Sequence, residues 1–264
     1  MMPFILRICL LCVWVCLTSS ADTSVLGSSY GGWIVDIKRL NRKSIVYSFG
    51  LGKDISFDLS LLEKTNCSVY GFDNTPISSA YLRKQVLPPN FHWIKSLLWH
   101  NNTMLTMALP RAHGVSMTAG ELEGVKDGRF QHTYSRRQYS LRARTLATIM
   151  EILEHKHVDL LKIDIEGAEF PIVKAWAQAN ENIPACQLLM ETHERFFAKD
   201  GEHMLNQLKA QLEALGFRYV QSKGDYEKGV EWLWMKDSEC EMCKGENCFE
   251  NPNPPAQQPT VEEF

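Results

Sequence analysis

The chain has 264 residues, of which 45% are hydrophobic and 22% charged, with a formal net charge of −3. That composition excludes wholesale disorder and leaves room for one sizeable core. A slightly acidic balance also lacks the basic footprint of a nucleic-acid binder.

The first residues read as a targeting segment. Met1 to Arg7 carries one positive charge, Ile8 to Leu17 is an unbroken apolar run, and Thr18, Ser19, Ser20 and Ala21 are small. This is the anatomy of a secretory signal peptide over residues 1–20, and the run is well short of the roughly 20 residues that span a bilayer. The expectation is a secreted or lumenal protein with no membrane span after cleavage. Removal of the leader leaves Cys67, Cys186, Cys240, Cys243 and Cys248, an odd set that suits two disulfides and one thiol. Cys240, Cys243 and Cys248 have zinc-like spacing but no nearby His, so disulfides are preferred. The sequons Asn66-Cys67-Ser68 and Asn101-Asn102-Thr103 make Asn66 and Asn101 candidate glycosylation sites.

Residues 21–44 form a polar N-terminal strap in which Trp33 is a packing anchor. Ile45 to Phe49 is β-branched and aromatic, a strand signal. It runs into Gly50-Leu51-Gly52, and Asp54 then offers an N-cap to a helix whose apolar face is Ile55, Phe57, Leu59, Leu61 and Leu62. In a strand–turn–helix context, glycines let the backbone approach a ligand, and the helix start presents spare N–H groups. Cys67 to Asp73 reads as the second strand. Asp73 closes it about 20 residues beyond Gly52, where an α/β nucleotide site places its ribose acceptor. A helix from Pro76 to near Val86 and a third strand at Phe91 to Lys95 follow, the latter ending in Ser96 and Leu97.

Residues 101–144 are read as irregular beyond a strand over Thr103 to Leu109. The stretch His132, Tyr134, Arg136, Arg137, Tyr139, Arg142 and Arg144 is basic and aromatic, and suits either a substrate lid or a solvated loop. Thr145 to His157 has helical spacing. Asp159 to Glu169 then organises the chain: Leu160, Leu161, Ile163 and Ile165 form a buried strand ending in Asp164 and Glu166, and Gly167 turns it into a helix. A carboxylate inside an apolar run demands a partner. Ala185 to Met190 is the next strand, ending in Glu191-Thr192-His193. An amphipathic helix from His203 to Leu215 and a closing pair, Phe217 to Val220 and Val230 to Met235, complete a domain spanning 45–238. Residues 239–264 are read as a Cys-containing, Pro-rich disordered tail.

The string Leu161-Lys162-Ile163-Asp164-Ile165-Glu166-Gly167-Ala168-Glu169, together with the glycine turn, resembles the FkbM-type group of class I S-adenosylmethionine-dependent methyltransferases. The resemblance covers about Ile45 to Met235. It implies an α/β, Rossmann-like fold with a mostly parallel seven-stranded sheet and an antiparallel closing strand. It further implies that Phe49, Gly50, Gly52, Asp73, Ser96, Leu97 and Asp164 bind S-adenosylmethionine. The wider class carries an acid in the first strand just before the glycines. Here that position is Tyr47 or Ser48, and Asp54 or Asp164 is the candidate replacement.

Methyl transfer to a hydroxyl needs alignment and a proton acceptor, for which Asp164, Glu166 and His193 are the catalytic candidates. Asp164, Glu166, Glu191 and His193 together have the donor chemistry for a divalent metal. The expected function is O-methylation of a small molecule or glycan in the secretory pathway. Two alternatives remain at this level: a secreted binding protein on a degenerate methyltransferase fold, and a nicotinamide-dependent oxidoreductase.

Overall fold

A computed structural model of the chain describes residues 22–110, 118–119, 134–197, 200–225 and 229–242. The expected signal peptide and the segments 111–117, 120–133 and 243–264 lie outside the described residues.

Seven strands form the central sheet. In chain order they are β3 (Ile45–Phe49), β4 (Ser68–Phe72), β5 (Phe91–Ile94), β10 (Val158–Ile163), β11 (Ala185–Thr192), β12 (Arg218–Asp225) and β13 (Gly229–Met235). Their spatial order is β12-β13-β11-β10-β3-β4-β5. β10 pairs in parallel with both β3 and β11, setting Ile163 level with Phe49 on one side and Met190 on the other. β13 alone runs antiparallel, inserted between β11 and β12. This is the expected mostly parallel, Rossmann-like α/β sheet, with the reversed strand inside the sheet.

Both sheet faces are buried, so the strands are apolar on both sides and alternate between two cores. Tyr47, Phe49, Leu161, Ile163, Leu188 and Met190 face a core shared with α3 (Leu146–Ile152), α4 (Glu169–Ala179) and α5 (Gly201–Ala214). Val46, Leu160 and Leu189 face the other, with α1 (Ser56–Thr65) and the hairpin of β1 (Thr23–Leu26) and β2 (Trp33–Asp36). Leu161 is fully buried, and its truncation to Ala is expected to cost about 2–5 kcal/mol. The strap is therefore part of the domain, and Trp33 is buried in it.

Three sequence expectations need correction. Residues 101–144 are not irregular where described: β7 (Thr103–Pro110) and β9 (Tyr134–Arg144) pair antiparallel in a second sheet with β6 (Leu97–Leu98) and β8 (Thr118–Ala119). The signal was a period of two. Gln138, Ser140 and Arg142 are exposed, while Tyr139, Leu141 and Ala143 turn inward. Second, the tail assigned to 239–264 begins in a helix, α6 (Asp237–Met242), whose Cys240 is disulfide-bonded to Cys186 of β11. Third, Ile55 holds the N-cap position of α1 without a side-chain cap, while Asp54 accepts the Ser56 N–H at 2.8 Å from one residue earlier. Cys67 is a buried free thiol. Asn66 and Asn101 are exposed. Among the described residues no helix is long and apolar enough to cross a membrane.

Candidate active site

In an open α/β sheet the crevice lies where neighbouring strands lead away in opposite directions, at their carboxyl ends. Here that point is between β3 and β10. A cavity of about 890 Å³ opens there. Its floor is tied together by main-chain bonds from the Gly50 N–H to the Phe72 carbonyl and from the Asp164 N–H to the Phe49 carbonyl, each at 3.1 Å.

Gly50 has φ +81°, and a Cβ there would overlap the Asp164 carbonyl. Only glycine fits this crossing of β3 past β10. Gly52 also has positive φ but open space around it, and its N–H donates to Asp73 Oδ2 at 3.1 Å. The other Asp73 oxygen accepts the Thr75 N–H and hydroxyl, both at 2.8 Å. Burial pushes the Asp73 carboxyl above its usual range, against these hydrogen bonds. Phe49 and Phe72 stack at 4.3 Å beside the glycine turn. Ile77, Leu97, Leu98, Leu105 and Met107 give this end an apolar wall. Of the sequence candidates, Phe49, Gly50, Gly52, Asp73, Leu97 and Asp164 all line the cavity. Ser96 is fully buried, donates to the Leu97 carbonyl and does not line it.

The opposite end is acidic. β10 ends at Ile163, and the chain turns through Glu166 and Gly167, both at positive φ (57° and 99°). For a non-glycine residue this costs roughly 1–2 kcal/mol. Asp164 and Glu166 therefore reach the cavity from a turn, and do not follow the extended parity expected of them. Glu191, on β11, reaches it from the next strand. His193 lies behind the three, 1% exposed, with Nε2 at 3.4 Å from Glu191, 3.5 Å from Glu166 and 3.8 Å from Asp164. Its Nδ1 meets Glu169 at 3.0 Å. Burial opposes a charged imidazole, but Glu169 and Glu166 outweigh it and push His193 up to about 10. Burial and the neighbouring Asp164 raise Glu191 to about 8. The same cause, burial, lifts Glu231 to about 7 despite Lys223 at 3.1 Å.

Several lining residues escaped the sequence reading. Lys162 is almost buried; its ammonium donates to the Gly50 carbonyl at 3.2 Å, stands 4.0 Å from Asp164 and sits over the Trp33 ring at 4.8 Å. Its presence inside an apolar strand was a readable signal of a buried partner. Beneath it lies Asp58, wholly buried and raised by that burial, with the Lys162 charge pulling the other way. Tyr30 and Gly31 of the strap form part of the rim, where Ser28 donates to Asp54 at 2.6 Å. Nothing in the spacing of the strap announced this.

The model of the methyltransferase FkbM domain matches residues 37–219, well over half of the chain. The chain belongs to the FkbM methyltransferase family. It is thus an S-adenosylmethionine-dependent methyltransferase of the class I, Rossmann-like type, and the nicotinamide reading is set aside. No curated protein matches this FkbM chain. Among solved structures it is similar to a Methanococcus jannaschii fibrillarin, a pre-rRNA processing protein (14% identity, 84% of this chain and 86% of that one, TM-score 0.44). It is also similar to Aeropyrum pernix fibrillarin with natively bound S-adenosylmethionine (10%, 75% and 67%, 0.38) and to M. jannaschii TYW2 in complex with AdoMet (10%, 83% and 89%, 0.32).

Proposed function

We propose that this FkbM methyltransferase methylates a hydroxyl group on a small molecule or glycan, and does so in the secretory pathway. The observation that carries the reading is a single cavity with a glycine-and-Asp73 end and a carboxylate end, joined at the β3–β10 crossing. The residues fit S-adenosylmethionine on the structure's own terms. A cradle that a Cβ would fill lies at Gly50, a carboxylate bonded to the Gly52 N–H faces the cavity beside it, and an apolar wall stands next to both.

In this reading Gly50 and Gly52 let the main chain approach the cofactor, Asp73 accepts the ribose hydroxyls, and Leu97 with its apolar neighbours borders the adenine. The cofactor supplies an electrophilic methyl group on a sulfonium. The chain's part is alignment and proton removal. Asp164 and Glu166 line the cavity at the end away from Asp73 and are the candidate proton acceptors. His193 stands one layer back and acts through them. The secretory setting rests on the leader-like residues 1–20 and on the Cys186–Cys240 disulfide, which suits an oxidising compartment.

The test is incubation of the purified protein with methyl-labelled S-adenosylmethionine and fractionated small-molecule and glycan extracts of secretory compartments. Label retained in the product through alkaline treatment, as a methyl ether, is expected. Labelling confined to nitrogen or to carboxyl groups would overturn the hydroxyl assignment.

A further inference from the structure

The acidic end of the cavity has a nitrogen donor aimed into it. His193 is 1% exposed, and Nδ1 makes its hydrogen bond, to Glu169. Nε2 makes no hydrogen bond among the described residues; it stands within ion-pair range of Glu191 Oε1, Glu166 Oε2 and Asp164 Oδ1, at 3.4, 3.5 and 3.8 Å. One donor atom from each of Asp164, Glu191 and His193 lies within 4.8 Å of the other two. Those separations are long for hydrogen bonds. They match ligands sharing one ion, because atoms bound at about 2.1 Å stand roughly 3.0 Å apart when adjacent and about 4.2 Å apart when opposed.

We infer that Asp164, Glu191 and His193 Nε2 form a binding site for one divalent cation of the Mn²⁺ or Mg²⁺ type. Two carboxylate oxygens and one imidazole, whose Nε2 gives up its proton to solvent as the cation takes its place among the carboxylates, select a hard to borderline ion over a thiophilic one. Glu169 completes the arrangement. Its carboxylate accepts the Ile165 and Gly167 N–H groups at 3.0 and 2.9 Å and holds Nδ1, which directs Nε2 at the ion. The three ligands come from the turn after β10 and the end of β11, so the site exists only when these strands pair. Asp164 and Glu191 line the cavity, which leaves the ion's remaining positions open to an oxygen of the acceptor. Glu166, 3.5 Å from Nε2 on the same rim, is then the group that takes the hydroxyl proton. Ion binding does not depend on the proposed hydroxyl chemistry; the role toward the acceptor does.

The test is Mn²⁺ titration of the metal-stripped full chain, followed by electron paramagnetic resonance and calorimetry, with S-adenosylhomocysteine affinity measured on the same samples. One ion per chain is expected, with Glu191→Gln and Asp164→Asn weakening it at least tenfold. Glu169→Gln is expected to weaken it by about 10–100-fold through the second layer. His193 is fully buried and its replacement endangers folding, so the cavity-lining variants carry the test; retained S-adenosylhomocysteine binding certifies the fold of Glu191→Gln, and an unchanged thermal melt certifies that of Asp164→Asn. A wild-type chain that binds S-adenosylhomocysteine but no Mn²⁺ overturns the ion site and leaves the methyltransferase reading standing. Unchanged Mn²⁺ affinity in both cavity-lining variants overturns it as well. Mn²⁺ bound with the expected variant losses, together with an acceptor labelled on nitrogen, keeps the site and removes its proposed role.

Discussion

Glu169, wholly buried at the start of α4, holds Nδ1 of His193 at 3.0 Å while accepting two main-chain N–H groups from the turn between β10 and α4. One side chain thus fixes both the turn that carries Asp164 and Glu166 and the imidazole behind them. Glu169→Ala is expected to cost about 3–5 kcal/mol, since it strands a buried imidazole among carboxylates and leaves two N–H groups unpaired. Glu169→Gln, which retains an acceptor, should cost less. Urea denaturation of the two variants checks the order; equal and small losses would show that Glu169 does not organise the turn.

The glycine turn makes a graded prediction. Gly50→Ala should abolish cofactor binding or folding, because its Cβ meets the Asp164 main chain, whereas Gly52→Ala, in open space, should lose only about 1 kcal/mol of stability. Asp73→Ala should weaken S-adenosylhomocysteine by roughly 10–100-fold through lost hydrogen bonds to ribose. Calorimetry that finds Asp73→Ala unchanged, or Gly50→Ala no worse than Gly52→Ala, counts against the cofactor assignment.

Lys162 offers a positive charge under Gly50, to whose carbonyl it donates. Lys162→Met is expected to weaken S-adenosylhomocysteine, whose amino-acid end carries a carboxylate. Methylthioadenosine, which shares the nucleoside but lacks that end, should bind both proteins alike. A parallel loss for the two ligands would assign Lys162 to holding the Gly50 turn and not to the amino-acid group.

His155 makes stability fall with acid. It is 9% exposed, bonded through Nδ1 to the Tyr47 hydroxyl at 2.7 Å, and burial lowers it from 6.5 to about 4. Between those values the unfolded chain takes up a proton that the folded chain does not. Stability is therefore full above about pH 6.5 and declines through the window, by roughly 3 kcal/mol at pH 4. His155→Gln should flatten that slope in urea midpoints measured from pH 7 to pH 4. An imidazole seen by NMR to titrate near pH 6.5 in the folded protein would refute the account.

The Cys186–Cys240 bridge closes a loop of 54 residues. Its removal in Cys240→Ser should lower stability by about 4 kcal/mol on the chain-entropy estimate. Wild type melted with and without reductant gives the same comparison without a mutation. Identical melts would mean that the bridge is absent in solution.

The sheet was legible because its strands are short apolar runs ended by glycine or acid, and β3 begins and ends where its residue types change. The glycines and Asp73 were legible for the same reason: each stands at a strand end. What the spacing hid depends on distant packing. β9 was passed over because its arginines and tyrosines read as a basic, aromatic loop, although Tyr139, Leu141 and Ala143 alternate with exposed Gln138, Ser140 and Arg142. Lys162 was visible only as an anomaly, since its partners Gly50 and Trp33 lie far away in the chain. The parity of Asp164 and Glu166 failed because the strand ends one residue too early and Glu166 takes a left-handed conformation.

The position of β13 bears on the order in which the protein assembles. It is the last strand in the chain among the described residues, yet it enters between β11 and β12. A nascent chain that has made everything up to β12 therefore still exposes the hydrogen-bonding edge of β11, and β12 has no neighbour of its own to join. Chains ending before Gly229 are expected to leave that edge unpaired, and the sheet is complete only when the β12–β13 hairpin docks on β11.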